Sequence, residues 1–196
     1  MLKVGVTGGI GTGKSTVCRI FSILGIPVYD SDRQAKILMA KDKSLIGKIK
    51  KHFGNESYLE DDELNTSYLA ATVFDNNEKL KQLNSLVHPA VKKDFEFWAS
   101  NQDAPYSIKE AALLVETGSY KELDALIVVT AFEKLKIERV LKRDKNRNID
   151  QVKSIINNQL SDDEKKKYAD FVINNDENHP ILSQVLQIHN ELLQKA

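Results

Sequence analysis

The chain of 196 residues is long enough for one domain with its own core and room for an insertion. Hydrophobic residues make up 41% and charged residues 29%, and 28 Lys and Arg balance 28 Asp and Glu; without the basic bias of a nucleic-acid binder, no nucleic-acid partner is expected. The lone cysteine, Cys18, leaves no internal disulfide, MLKVGVTGG lacks a signal-peptide apolar segment, and no run approaches the roughly 20 apolar residues of a membrane helix, so the expectation is a soluble cytoplasmic protein with no membrane partner.

Leu2 to Thr7 is short, apolar and β-branched, the pattern of a buried strand. After a run of glycines, Val17, Ile20, Phe21 and Leu24 recur on one helical face, and Gly25 supplies a stop. Ile26 to Tyr29 reads as a second strand ending at Asp30, with Ser31 or Asp32 capping a helix through Arg33 to Ala40. Ile46 to Ser100 reads as helical, broken at Gly54–Glu56 and Asn76–Asn77. SIKEAALLVE (Ser107 to Glu116) ends in a buried strand, and ALIVVTA (Ala125 to Ala131) is the clearest strand of the chain. Charged amphipathic helices follow at Phe132 to Arg143 and Ile149 to Leu160, then a strand at Asp170 to Ile173 and a helix at Ile181 to Gln194. Strands separated by helices imply an α/β fold with a five-stranded parallel sheet and right-handed crossovers. The gap between the second and third strands exceeds a normal crossover, so it predicts a helical subdomain within a single domain.

Gly8-Gly9-Ile10-Gly11-Thr12-Gly13-Lys14-Ser15 fits the phosphate-loop pattern G-x-x-x-x-G-K-[ST], with a strand before it and a helix after. Glycines let successive backbone N–H groups approach phosphate oxygens, and the following helix N-terminus favours an anion. Lys14 brings a mobile positive charge to the β and γ phosphates, and Ser15 a hydroxyl for Mg²⁺. The loop therefore holds a nucleoside triphosphate. Cys18, one turn into that helix, reads as a small buried hydrophobe.

Among phosphate-loop proteins, a GTPase switch needs Asp-x-x-Gly and Asn-Lys-x-Asp, and neither is present. A mechanical ATPase ends a strand with an Asp-Glu pair, whereas LLVE ends in one acid, Glu116. A small-molecule kinase remains. It needs a place for its acceptor, which the Ile46–Ser100 region offers, and a way to exclude water. IERVLKRDKNRNIDQ carries Arg139, Arg143 and Arg147 at four-residue spacing, with Lys142 and Lys145 between. This is either a lid that brings arginines onto the phosphates or a solvated helix face.

TGGIGTGKSTV, VYDSD, LVHP, LLVE, the KRD with a distant Gln159, and DFVINN occur in an order that resembles the dephospho-coenzyme A kinases, over about residues 3 to 175. The resemblance implies a P-loop kinase three-layer fold with a helical substrate-binding insertion (about 33–100) and a helical lid (about 132–165). It implies ATP with Mg²⁺ as donor, and the 3′-hydroxyl of dephospho-coenzyme A as acceptor. ATP contacts carry over onto Gly11, Thr12, Gly13, Lys14, Ser15 and Thr16. Lys14, Arg139 and Arg143 would act on the phosphates, and Asp32 would be the base, with Asp30 ranked second. His88 is either a helix-start residue before Pro89 or an acceptor contact. Asn175 is either a turn residue or an ATP contact near adenine. Leu113 and Glu116 would lie on the acceptor side; for Glu116 a metal-water role and a structural cap also stay open. Family members often have Pro where Ala112 stands here. The alternatives are a shikimate- or gluconate-type kinase, although the Gly-Gly-Arg-Gly of shikimate kinases is missing, and a non-catalytic nucleotide sensor in which Asp32 only caps a helix. A monomer or weak homo-oligomer is expected.

Overall fold

The computed structural model describes residues 1–60, 62–74 and 76–196; positions 61 and 75 of the expected helical insertion lie outside the described residues. Five strands, β1 (Leu2–Thr7), β2 (Val28–Asp30), β3 (Tyr106–Glu110), β4 (Ala125–Thr130) and β5 (Phe171–Asn174), form one sheet in the order β2-β3-β1-β4-β5. Every pairing is parallel. The helices are α1 (Lys14–Ile23), α2 (Ser31–Lys41), α3 (Lys43–Phe53), α4 (Thr66–Phe74), α5 (Asn77–Ser100), α6 (Glu133–Arg143), α7 (Ile149–Asn157), α8 (Asp162–Lys166) and α9 (Ile181–Lys195). The chain divides into two compact units, one of Met1–Asp30 with Gln102–Ala196, the other of Ser31–Asn101.

The first unit is built on the sheet. Side chains alternate along strands, so Val4 and Val6 of β1 share one face with Ile108, Ile127 and Val129. Val17, Cys18 and Phe21 of α1, and Val185, Ile188 and Leu192 of α9, close that face. Tyr106 meets the ring of Phe21 edge-on, with centroids 6.3 Å apart. On the opposite face Leu126 and Val128 pack with Leu114 and Val115. Gly5 allows this, because a Cβ there would stand 2.7–2.9 Å from the side chains of Leu123, Leu114 and Leu126.

The third strand is shorter than the sequence suggests. β3 stops at Glu110, and LLVE forms a buried turn beyond it rather than the strand itself. Leu114 and Val115 are buried as expected, but as filling for the second face of the sheet, while Leu113 stays exposed. Glu116 therefore does not end a strand; Glu110 does.

In the unit Ser31–Asn101, α5 buries Val87, Val91, Phe95 and Ala99 along one stripe, and α3 buries Leu45, Ile49 and Phe53 at the same four-residue spacing. The Asp42 side chain accepts from the N–H groups of Ser44 and Leu45 to start α3, Gly54 ends it, and Asn76 caps α5. The breaks expected at Gly54 and Asn76 therefore coincide with helix ends. His88 does not begin a helix: α5 runs through it and holds Pro89 in its interior.

Phe21→Ala should cost about 3–5 kcal/mol, because the ring is fully buried and the fixed sheet cannot collapse into the space left. Urea denaturation would measure this as a lower midpoint with an unchanged slope.

Candidate active site

The glycine loop leaves the C-terminal end of β1, the central strand, between β3 and β4. Its shape is set by what presses on it from outside. Gly11 has φ +78° and Gly13 φ +93°, a region L side chains rarely adopt. A Cβ on Gly11 would overlap the backbone of Lys136 in α6, and one on Gly13 would overlap the Asn175 amide. The fully buried Thr12 donates its hydroxyl to Gly9 O at 2.9 Å, and Asn175 Nδ2 donates to Thr12 O at 2.8 Å. No side chain caps α1, and such an open helix N-terminus favours an anion.

Lys14 Nζ donates to the carbonyls of Gly8 and Gly9 at 2.9 and 3.3 Å, which holds the ammonium over the first arc of the loop. Ser15 Oγ donates to Glu110 Oε1 at 3.1 Å. Glu110 stands opposite Asp30 in the β2–β3 register, so two carboxylates end adjacent strands. Burial pushes the Glu110 carboxyl above the usual range, against the Lys14 charge and the Ser15 hydrogen bond, which lower it. Burial, and then the neighbouring Glu110, pushes the Cys18 thiol up even more strongly. Cys18 is thus an inert core thiol, as its position suggested.

Gly11, Gly13, Lys14, Ser15 and Thr16 line a cleft of about 330 Å³ together with Arg139, Val140 and Arg143. Sequence spacing had singled out all of these except Thr16, which only the family resemblance implied, and Val140. Arg139 Nη1 donates to Asn175 O at 3.0 Å, and Nη2 to Asn175 Oδ1 at 3.3 Å. Arg143 donates through Nε and Nη2 to both oxygens of Asp144, at 2.8 and 2.9 Å. Thr12 and Asn175 are not cleft-lining; they brace the loop from behind.

The other candidates fall elsewhere. Leu113 is 38% exposed beside the buried Leu114. Glu116 Oε1 accepts from Lys165 Nζ at 2.7 Å and from Leu160 N at 3.1 Å, so it anchors α8 to the turn that carries Leu113. Asp32 lies in the first turn of α2 and His88 on the exposed side of α5, both within the unit Ser31–Asn101.

Sequence reasoning passed over three groups. Glu110 is the acid that accepts the Ser15 hydroxyl. Lys136, buried, pairs with Asp162 at 2.7 Å, and Asp162 also accepts from Ala131 N at 3.2 Å. Lys165, with no exposed surface, donates to Ala112 O at 2.9 Å as well as to Glu116. Strand length could have exposed Glu110; the buried lysines carried no sequence signal.

The family model for dephospho-CoA kinase matches residues 2–180. A dephospho-CoA kinase of Bacteroides fragilis is 37% identical over 195 residues, covering 99% of this chain and 94% of that one. One of Aggregatibacter actinomycetemcomitans is 40% identical over 198 residues, covering 98% and 95%. Among solved structures, the dephospho-CoA kinase from Campylobacter jejuni superposes with a TM-score of 0.69 at 25% identity, covering 98% of each chain. With the glycine loop, the arginine-lined cleft and the β2-β3-β1-β4-β5 sheet in place, these likenesses decide against a shikimate- or gluconate-type kinase and a sensor: the chain belongs to the dephospho-CoA kinase family, the ATP-dependent enzymes of the last step of coenzyme A synthesis.

Proposed function

We propose the following division of labour for phosphoryl transfer from ATP to the 3′-hydroxyl of dephospho-CoA. The observation that carries it is the convergence of Lys14, Ser15, Arg139 and Arg143 on one cleft beneath the glycine loop. Gly11, Gly13 and Thr16 present backbone to the phosphates, and Thr12 and Asn175 keep that backbone in place. Lys14 follows the charge that develops on the leaving β,γ oxygen. Asp32 accepts the proton of the ribose hydroxyl as the phosphoryl group arrives, because the hydroxyl is a poor nucleophile without a base. Leu113 and His88 contact the acceptor, and Glu116 serves it indirectly by fixing the turn that carries Leu113.

The hydroxyl of Ser15 and the carboxylate of Glu110, 3.1 Å apart, are hard oxygen donors of the kind Mg²⁺ prefers. Bound there with the nucleotide, Mg²⁺ would neutralise charge on the β and γ oxygens. Residues 132–165 act as a lid whose arginines exclude water and stabilise the transferring group. The same reading takes the enzyme as a cytoplasmic monomer or weak homo-oligomer with no nucleic-acid partner. Its balanced charge supports the absence of a nucleic-acid partner, and no helix among the described residues is long and apolar enough to cross a membrane.

An assay of ATP consumption with dephospho-CoA, shikimate or gluconate tests the assignment: only dephospho-CoA should support turnover. In that assay Asp32→Asn should lose about 10²-fold or more in rate while ATP affinity holds, since Asn keeps the size but has no basic carboxylate. Retention of most of the rate would remove Asp32 from the mechanism.

Arg143→Ala should lower kcat more than it weakens ATP binding, because a transition-state contact is lost. In the wild type, ATP should slow hydrogen exchange across 132–159; unchanged exchange would leave the arginines as a solvated face.

Glu110→Gln tests the buried acid. Its folded pKa lies above the unfolded value, so the native state binds more protons and stability falls as pH rises through that interval. The Gln variant should therefore melt higher than wild type at pH 7, with the gain vanishing below the unfolded carboxyl pKa, while its Mg²⁺-dependent activity drops. Thermal melts across pH, set beside the assay, would read both effects.

A further inference from the structure

Gln159 follows α7 and has no part in the mechanism above. Its Oε1 accepts the N–H of Ile10, inside the glycine loop, at 2.9 Å. The side chain lies directly on the loop, for a Cβ on Gly9 would stand 3.3 Å from that same oxygen. Lys14 Nζ rests on the carbonyls of Gly8 and Gly9, so Gln159 and the Lys14 ammonium address the same arc, Gly8 to Ile10. Lys14 is the group that meets the terminal phosphates.

The backbone around Gln159 is held on several sides. Leu160 N is bonded to Glu116, and Lys165 ties the same carboxylate to Ala112 O. Asp162 is locked between Lys136 and Ala131 N. A surface glutamine would swing; this one is set in place by two ion pairs whose lysines are buried. The Ile10 N–H is a donor, so it must face the glutamine's oxygen and not its NH₂ group. That leaves two amide donors on Nε2, and among the described residues no protein acceptor takes them.

We propose that Gln159 reads the terminal phosphate of ATP: Oε1 stays on the Ile10 N–H, and Nε2 donates to a γ-phosphate oxygen. It thereby distinguishes ATP from ADP at the join between the lid segment and the glycine loop. The inference rests on the loop holding ATP, as assigned above. Gln159→Glu gives a direct test. Glu keeps an oxygen for the Ile10 N–H, so the loop stays tethered and the melting temperature should hold within a few degrees. It replaces a donor with a negative charge at the γ position only.

Calorimetric titration of the full chain with MgATP and MgADP should show ATP affinity down about tenfold or more and ADP affinity changed less than about threefold, the range expected for losing a hydrogen bond to a charged group. Equal losses for the two nucleotides, or no loss for either, would overturn the proposal and leave Gln159 a loop brace. If the Glu variant does not fold, Gln159→Met supports the same comparison without the charge. Failure of the wild-type chain to bind either nucleotide would overturn the loop assignment itself, a result distinct from equal losses in the variant.

Discussion

A loop that binds phosphate through its own N–H groups must be held open with little side-chain packing of its own, and the rest of the first unit is arranged around that constraint. Left alone, so many glycines would lose more conformational entropy on ordering than any other sequence. Here the loop is clamped from outside. The backbone of Lys136 fills the space beside Gly11, and the Asn175 amide fills the space beside Gly13. Thr12 closes the loop on itself through Gly9 O, and Asn175 seizes the Thr12 carbonyl. The clamps come from α6 and from the residue after β5, elements far apart in the chain. The phosphate site therefore exists only when the whole sheet is assembled.

Burying charge is the second cost of this arrangement. Lys136 and Lys165 are both withdrawn from water, each against one carboxylate and with further hydrogen bonds to share the load. A buried pair of this kind adds little net stability over an apolar one, but losing either partner costs about 3–5 kcal/mol, because the other is stranded. The gain is geometric. Both pairs grip α8 or the residue that begins it, and both attach it to the C-terminal edge of the sheet, at Ala131 and at the turn 111–116. Segment 159–165 is thus bonded at several points to the sheet edge, and it carries Gln159, whose side chain reaches the Ile10 amide.

The local chemistry of the loop was legible in the sequence because glycine spacing is itself the mechanism. The same holds for β4, whose unbroken ALIVVT run admits only burial on both faces. What could not be read was which of two acids ends β3. SIKEAALLVE offers Glu110 and Glu116, and an apolar run before the second suggests a strand. A strand reaching Glu116 would span about ten residues, twice the usual length, a mismatch that weighs for Glu110. The helix-start reading of His88 rested on a sound local rule: a residue before Pro avoids helical angles. In α5 the stripe Val87, Val91, Phe95 and Ala99 outweighs that penalty. DDEKKKYAD reads as a solvated tract, and nothing in it marks Lys165 as buried, because the burial belongs to its partner Glu116, some fifty residues earlier.

The two arginines of α6 show how the same clamps divide rigidity from motion. Arg139 is tied to the Asn175 carbonyl and side chain, and Asn175 is tied to Thr12, so moving Arg139 would loosen the loop it serves. Arg143, one turn on, is held among the described residues by the neighbouring carboxylate of Asp144 alone. Exposed pairs of that kind contribute little to stability and are screened by salt. A triphosphate carries several negative charges and can displace a single carboxylate from Arg143 without disturbing anything that α6 supports. Position along one helix therefore separates the two: the arginine nearer the clamp is bonded into the loop's support, and in the proposed mechanism the one at the helix end is left to answer the nucleotide.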